Sequence, residues 1–280
     1  MAFRDFSDDA APIQSNPADG HRASTRLANR ADIKVLQLLG REIVSGIYPA
    51  DERLPDEASM LARYRITRTA LREAYAQLTA KGMIVARPKV GTSVTPPASW
   101  NMLDADVLRW HLETRPLEEI VTSLHPLRRM IEPGAAALAA QLRTQEQLDR
   151  LERAYQLMKS AGQDRDALLS ADLSFHLEIL VATHNPFIRA FSGQLRAIMQ
   201  KTLPSGWDGV ESAALKPARL LQHLDVLEAI RVQNADMARM RMEILIDDSL
   251  KDVLLGLETG ADGALSEGVA RILAANAACT

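Results

Sequence analysis

Apolar residues recur at helical spacing along most of the chain from residue 30 onward. They predict a first helix over residues 30–46 and a second, shorter helix with Asp56 as its N-cap. A third helix is predicted to begin after Thr67 as its cap and to end at Gly82, and residues 84–94 alternate as two short strands around a turn. Three helices followed by a hairpin indicate a winged helix-turn-helix, in which one helix enters the major groove of DNA.

The second part of the chain is predicted to be entirely helical. From Asp104 to about Leu257 the apolar period is 3.6 residues, and prolines and glycines divide it into six or seven helices. One apolar face groups Leu127, Met130, Ile131 and Leu138. The fold class is therefore mostly α: an N-terminal winged helix-turn-helix with a small β-wing, followed by an all-α helical-bundle ligand-binding domain.

Prolines and polar stretches predict where these domains begin and end. Paired prolines mark the best linker, and the polar first residues have no apolar period and indicate a disordered arm. The predicted domains are a disordered arm at residues 1–25, a winged helix-turn-helix at 26–95, a linker at 96–103, a helical effector-binding domain at 104–257 and a C-terminal tail at 258–280.

Composition is consistent with two globular domains. The chain has 280 residues, of which 47% are hydrophobic and 25% charged, and its single cysteine, Cys279, excludes an intrachain disulfide and a Cys-based zinc site. Residues 26–95 carry a net charge of +5 and the residues after them −6, which favours a polyanion as the partner of the first domain. No signal peptide or membrane-length apolar run is present, so we expect a cytoplasmic location and no membrane contact.

The start of the third helix carries the candidate DNA contacts. Thr67, Arg68, Thr69 and Arg72 gather there, away from the apolar face, where guanidinium and hydroxyl groups can reach phosphates and base edges. Arg68 and Arg72 lie one helical turn apart, so an ordinary solvated face is the alternative. The basic hairpin that follows favours DNA.

The first domain resembles a known family of DNA-binding domains. The run RLPDEASMLARYRITRTALREAYAQLTAKGMIVARPKVGTSV is similar to that of GntR-type bacterial transcription regulators. The resemblance implies base or phosphate contacts by Arg68, Thr69 and Arg72, with Gly91 allowing the wing backbone to approach DNA. We also expect DNA contacts by Arg65, Thr67, Arg87 and Lys89. The chain departs from the pattern at Ala58, where several members carry an arginine, so their operator preference does not transfer.

A carboxylate and two imidazoles form the candidate chemistry of the helical domain. Asp172 and His176 lie one turn apart on an apolar helix, and His223 lies on another. Such groups need partners when buried, and together they can bind a divalent metal such as zinc or nickel. A hydrogen-bonded Asp-His pair without metal is the alternative, as is direct contact with the hydroxyls of a sugar acid.

The helical domain resembles the ligand-sensing (FCD) domain of the FadR-like subgroup of these regulators. The similar pieces are LRRMIEPGAAALAA, ADLSFHLEIL with ATHNP, and QHLDVLEAI, at residues 127–140, 171–186 and 222–230, and WNMLDADVLRWHLE at 100–113 is similar to regulators of sugar-acid catabolism. The subgroup commonly binds metal through an aspartate and three histidines. Here Leu245 stands at the position of the last histidine, and the acids nearby, Glu243 and Asp247, are not clearly aimed inward.

Two arginines are candidate anchors for an effector carboxylate, because a guanidinium donates two parallel hydrogen bonds to it. Arg128 is the first candidate and Arg219, one turn before His223, the second. The alternative for Arg128 is a salt bridge to Glu132 at i+4, and for Arg219 simple exposure.

These features predict a ligand-responsive transcription regulator, a repressor that binds operator DNA as a homodimer and is released by a small carboxylate such as a sugar acid. The chain is not expected to be an enzyme. A metal-dependent enzyme acting on a small organic acid through Asp172, His176 and His223 is the alternative, and an architectural DNA-binding protein is a third reading.

Overall fold

The computed structural model describes residues 34–207 and 212–258 of the chain, which divides into two compact units between Asn101 and Met102. The predicted arm at residues 1–25 and nearly all of the predicted tail lie outside the described residues. The predicted fold class is confirmed, since one unit has three helices and a two-stranded wing and the other consists of helices in its described part. No described helix has the length and apolar character needed to cross a bilayer.

The first unit begins with helix α1 at residues 34–44. Its other regular elements are α2 (Glu57–Tyr64), α3 (Arg68–Ala80), β1 (Ile84–Arg87) and β2 (Gly91–Val94). The predicted caps are present, because the Asp56 carboxylate accepts from the backbone N–H of Ser59 at 2.8 Å and the Thr67 hydroxyl from that of Ala70 at 3.2 Å. The core is formed by side chains from all three helices and the wing, including Leu36, Leu39, Ile43, Met60, Leu71, Leu78 and Val94.

The segment after the wing folds back onto the first unit. A short 3₁₀ helix (Pro97–Ser99) leads to Trp100, whose side chain is buried, and the Asn101 N–H donates to the carbonyl of Lys81. Gly82 has a φ of +76°, and a Cβ at this position would lie 2.2 Å from the Ser99 carbonyl oxygen. Glycine is required at this turn because it both ends α3 and makes room for the returning chain.

The second unit is a helical bundle. Its helices are α4 (Ala105–Thr114), α5 (Leu117–Leu142), α6 (Gln145–Ser160), α7 (Arg165–Ala182), α8 (Pro186–Ala190), α9 (Ser192–Trp207), α10 (Ser212–Arg231) and α11 (Ala235–Glu258). Helices α5 and α11 are packed antiparallel, since Arg129 pairs with Asp247 while Val121 packs near Leu254. The apolar period of α5 groups Met130 with the packed face of the helix, but the side chain is 80% exposed. Met130 lies opposite the side of α5 that packs against α7 and α11.

Candidate functional site

The predicted DNA contacts on α3 and just before it are exposed, as DNA recognition requires. Arg68, Thr69 and Arg72 project from the first two turns, and Arg65 lies before them in a left-handed conformation with a φ of 53°. The Thr67 hydroxyl oxygen caps the helix, which leaves its hydrogen available as a donor. These five positively charged or hydroxyl-bearing side chains are therefore exposed together at the start of α3 and just before it.

The wing carries the other predicted contacts. Arg87 and Lys89 are exposed at the hairpin turn, and Lys89 adopts a φ of 62°. Gly91 has a φ of +105°, and a Cβ there would lie 2.5 Å from the Arg53 side-chain Nε. The structure thus supplies a reason for Gly91 that the sequence did not show, namely space for the Arg53 guanidinium across the wing.

Arg68 forms an ion pair within the protein. Its Nε lies 3.1 Å from the Glu57 carboxylate, and the two side chains are 77% and 47% exposed. A pair this exposed is weak, contributing about 0–1 kcal/mol. Arg68 can therefore exchange Glu57 for a phosphate or a base edge at little cost.

A buried polar cluster lies between α7 and α10 in the second unit. Asp172, His176 and His223 are 1%, 3% and 1% exposed, and one ligand atom from each lies within 4.8 Å of the others. The Nε2 atoms of both imidazoles are 3.3 Å from the same Asp172 oxygen, Oδ1. The structure thus brings together the three residues that the sequence singled out as metal ligands, from helices about fifty residues apart.

Partners outside the cluster fix the orientation of both imidazoles. The Nδ1 of His176 is 2.5 Å from the Glu132 carboxylate, and the Nδ1 of His223 is 2.8 Å from the backbone carbonyl of Arg219. Because these oxygens only accept hydrogen bonds, each Nδ1 carries the hydrogen. In the neutral state each Nε2 then presents its lone pair toward Asp172, which is the arrangement found around metal-binding histidines.

Charge balance stabilises this cluster without metal. Burial would raise the pKa of Glu132, but Arg128 and His176 outweigh it and lower that pKa to about 2. Burial would likewise lower the pKa of His176, but Glu132 and Asp172 raise it to about 9. The pKa of Asp172 is lowered because His223 and His176 outweigh its burial. The metal-free cluster therefore pairs two carboxylates with Arg128 and a protonated His176.

The two candidate anchors, Arg128 and Arg219, differ in how much of each guanidinium is already paired within the protein. The Arg128 Nε donates to Glu132 at 2.6 Å, and Glu132 is its only hydrogen-bond partner within the described part of the chain. Its Nη1 and Nη2 groups therefore have no protein acceptor there. Arg219 is 3% exposed and its guanidinium pairs with Asp252, so it is neither exposed nor uncommitted.

A small cavity adjoins this cluster, and a second one lies next to it. The first is lined by Arg128, Asp172, His176, Leu203, Arg219, His223, Leu245 and Ser249. The second shares Arg128 and Ser249 with it and extends between α5, α9 and α11. Leu245 therefore faces the cluster from the position where the resemblance implies a histidine, and supplies no ligand.

The acids near Leu245 are used elsewhere. The Asp247 carboxylate accepts from Arg129 Nε at 3.0 Å and lies 3.1 Å from His125 Nε2, while Glu243 is 3.9 Å from Arg129. The sequence gives no signal for the pairing of His125 with Asp247, because the two residues are more than a hundred positions apart. The sequence identified Glu132 only as the alternative salt-bridge partner of Arg128. The Glu-Pro pair in LRRMIEP was the one available signal for its role.

Comparisons with known proteins match both units. Residues 33–94 match the family described as bacterial regulatory proteins, gntR family, and residues 123–248 match the FCD domain. The chain is 31% identical to the galactonate operon transcriptional repressor of Escherichia coli (strain K12), over 80% of this chain and 96% of that protein. It is 27% identical to the Uxu operon regulator of Haemophilus influenzae, over 77% of this chain and 79% of that one. A solved structure titled Streptococcus agalactiae GntR has a TM-score of 0.45 and 22% identity, covering 80% of this chain and 99% of that chain.

Proposed function

The chain belongs to the GntR family of bacterial regulatory proteins and carries an FCD domain, and on that premise we propose that it is a repressor whose hold on operator DNA is released by a small hydroxy carboxylate of the sugar-acid class. It is a DNA-binding transcription regulator, and the enzyme reading is not supported, since the family and its relatives are regulators. We expect it to act in the cytoplasm, where operator DNA is found.

The start of α3 is the proposed reading surface for DNA. Arg68, Thr69 and Arg72 are exposed together, with Arg65 and Thr67 beside them, and Arg87, Lys89 and Gly91 form the turn of the wing. In this fold class the helix enters the major groove and a basic wing reaches the backbone. Arginine there can bind guanine through two hydrogen bonds, and phosphate contacts make the affinity fall with salt.

A divalent metal, zinc or nickel, is the proposed occupant of the Asp172–His176–His223 cluster. The fit rests on the donor set, a carboxylate and two imidazoles whose Nε2 atoms converge on Asp172 Oδ1 while each Nδ1 is held from behind. Bound there, the metal would supply a Lewis acid for oxygen ligands. Three protein ligands leave coordination positions for water or an effector, because Leu245 adds none.

The proposed effector site is the cavity at this cluster. The observation that carries it is the small cavity that Arg128 lines together with Asp172, His176 and His223. The Nη1 and Nη2 groups of Arg128 can receive a carboxylate, while Nε stays with Glu132. Arg219 contributes less, because Asp252 already occupies its guanidinium. The relatives' printed names, galactonate and Uxu operon regulators, point to sugar acids.

We further propose that the protein binds DNA as a homodimer. Two recognition helices that read two half-sites about one turn of DNA apart need a two-fold arrangement. Light scattering should give the mass of two chains for the purified protein alone, and the mass of two chains plus one duplex for the protein bound to a two-half-site duplex.

A gel-shift titration on the DNA upstream of the protein's own gene tests the proposal. With the metal-loaded protein, galactonate, gluconate and hexuronates should each be compared with chloride at equal ionic strength. At least one acid should release the DNA, and EDTA should remove that response. Binding that no acid changes would overturn the effector assignment, whereas no preference for this DNA over random duplex would overturn the operator-binding role.

A further inference from the structure

A third segment of the first unit runs beside the wing. Residues 51–54 lie between α1 and α2, and the Leu54 N–H donates to the carbonyl of Thr92 on β2 at 2.9 Å. Within this segment Arg53 pairs antiparallel with Ser93. The backbone of Arg53 is therefore fixed against the wing, although the residue is far from the wing in the sequence.

The alternation of side chains places Arg53 on the outer face of the wing. Leu54 is buried in the core, so its neighbour Arg53 points the opposite way and is exposed. Gly91 precedes Ser93, the partner of Arg53, by two residues and shares this face, and Arg87 is the register partner of Gly91. Two exposed arginines, Arg53 and Arg87, thus lie on one face of the wing, on either side of Gly91.

The guanidinium of Arg53 lies against Gly91. A Cβ on Gly91 would come within 2.5 Å of the Arg53 Nε and 2.8 Å of its Nη2. Any side chain at position 91 would therefore displace the guanidinium, and the φ of +105° also favours glycine there. The charge of Arg53 is consequently held beside the turn of the wing.

Arg53 is also near the start of α2. Hydrogen bonds from Ser59 lower the pKa of Asp56 most, and the positive charge of Arg53 lowers it further. The next residue after Asp56, Glu57, pairs with Arg68 at the start of α3. Arg53 therefore adjoins both the wing turn and the helix starts, where the proposed DNA contacts lie.

We propose that Arg53 is a further DNA-binding residue, which contacts a backbone phosphate beside the wing, and that Gly91 positions it by leaving room for its guanidinium. A guanidinium can donate two parallel hydrogen bonds to a phosphate. Within the described part of the chain Arg53 forms no ion pair, so a phosphate would displace no carboxylate from it, in contrast to Arg68. A phosphate contact adds affinity without reading the base sequence. This inference rests on the proposed reading surface.

Salt dependence distinguishes a phosphate contact from a structural role. Arg53→Gln removes the charge and keeps much of the side-chain length. In anisotropy titrations of the full-length protein, the slope of log affinity against log salt should become smaller by about 0.9 for each bound protomer. At roughly 0.1 M salt, affinity should fall by roughly 5–10-fold per protomer. The loss should be equal on the duplex upstream of the protein's own gene and on random duplex.

Two further variants serve as controls for this measurement. Arg53→Lys keeps the charge and should keep the salt slope. Arg153→Gln removes one positive charge from an exposed position of the second unit and should change neither the slope nor the affinity. An equal loss of slope in Arg53→Gln and Arg153→Gln would mean that net charge, and not a contact by Arg53, is responsible.

A double-mutant cycle tests the role of Gly91. Gly91→Ala should weaken DNA binding more in the native chain than in the Arg53→Ala chain, because the added Cβ meets the Arg53 guanidinium only in the former. Thermal unfolding checks that each variant folds. Equal effects in both backgrounds would show that Gly91 does not position Arg53.

The outcomes separate this inference from the proposed function. If Arg68→Ala weakens operator binding but Arg53→Gln leaves the salt slope unchanged, the inference is wrong and the reading surface stands. If Arg53→Gln weakens binding to the operator alone, Arg53 reads bases and the phosphate assignment is wrong. If neither substitution changes DNA binding, both the inference and the reading surface are overturned.

Discussion

The two units of this protein place their functional groups in opposite environments. In the first unit the candidate DNA contacts are exposed, lie on consecutive turns of one helix and the next hairpin, and need few protein partners. In the second unit the candidate ligand groups are almost fully buried and come from α5, α7 and α10, and every charge has a counter-charge.

This difference determines how each site fails. An exposed arginine can be removed with loss of its own contacts alone, because water solvates what remains. A buried imidazole or carboxylate cannot, because its removal leaves a neighbour uncompensated in a dry environment. In the first site each substitution should therefore remove only the contacts of the residue that is changed. In the second site one substitution should also affect the neighbouring residues of the cluster.

The largest effect is expected from His223→Ala. Without this imidazole the proposed metal would lose one of three protein ligands, so metal affinity should fall by more than 100-fold while operator binding is kept. Elemental analysis after dialysis and a gel shift measure the two activities. His184→Ala, at an exposed histidine, is the control. Loss of DNA binding together with metal would contradict the separation of the two sites.

Arg68→Ala tests the exposed site. Removal of one bidentate base contact should weaken operator binding by roughly 5–150-fold, which corresponds to about 1–3 kcal/mol. Metal and effector affinity should be unchanged, as measured by calorimetry. Arg153→Ala, at an exposed arginine of the second unit, should leave operator affinity unaltered. Full operator affinity of the Arg68→Ala protein would contradict the proposal that the start of α3 contacts the operator.

Gly82→Ala tests the turn that supports the exposed site. Its Cβ would meet the Ser99 carbonyl at 2.2 Å with the backbone at φ +76°, so the first unit should lose about 1–3 kcal/mol of unfolding free energy. Gly134→Ala is the matched control, since a Cβ there has no neighbour within 4 Å and alanine favours the helix. Urea unfolding measures both. Equal stability of the two variants would show that the first unit relaxes around Ser99.

Glu132→Gln should have the smallest effect. The amide oxygen keeps an acceptor for His176 Nδ1, but the NH₂ group replaces the oxygen that accepts from Arg128 Nε, and the charge is lost. Metal affinity should therefore fall by about tenfold, the low end for an outer partner. The pKa of His176 should also fall from its raised value, since Glu132 is the first partner that raises it. NMR titration of the imidazole in the metal-free protein measures this pKa. An unchanged pKa would mean that Asp172 alone holds the proton.

Rules that depend only on neighbouring residues were sufficient to predict the elements of the first unit. The Asp56 and Thr67 caps, the turn at Gly82 and the hairpin are decided by neighbours within a few residues, and the structure has each of them. The family and the fold class are confirmed, while the roles of individual site residues and the domain limits remain predictions. The same rules misjudged Met130, because helical spacing does not say which side of a helix its neighbours cover.

The order of apolar and polar residues by itself determined the helices, the wing and the candidate chemistry of Asp172, His176 and His223, since periodicity, capping and residue type are local properties. Only the tertiary structure decided that Glu132 pairs with His176 and that Asp247 pairs with His125 and Arg129. These contacts join residues 44 to 122 positions apart, and such pairs are selected by how whole helices pack.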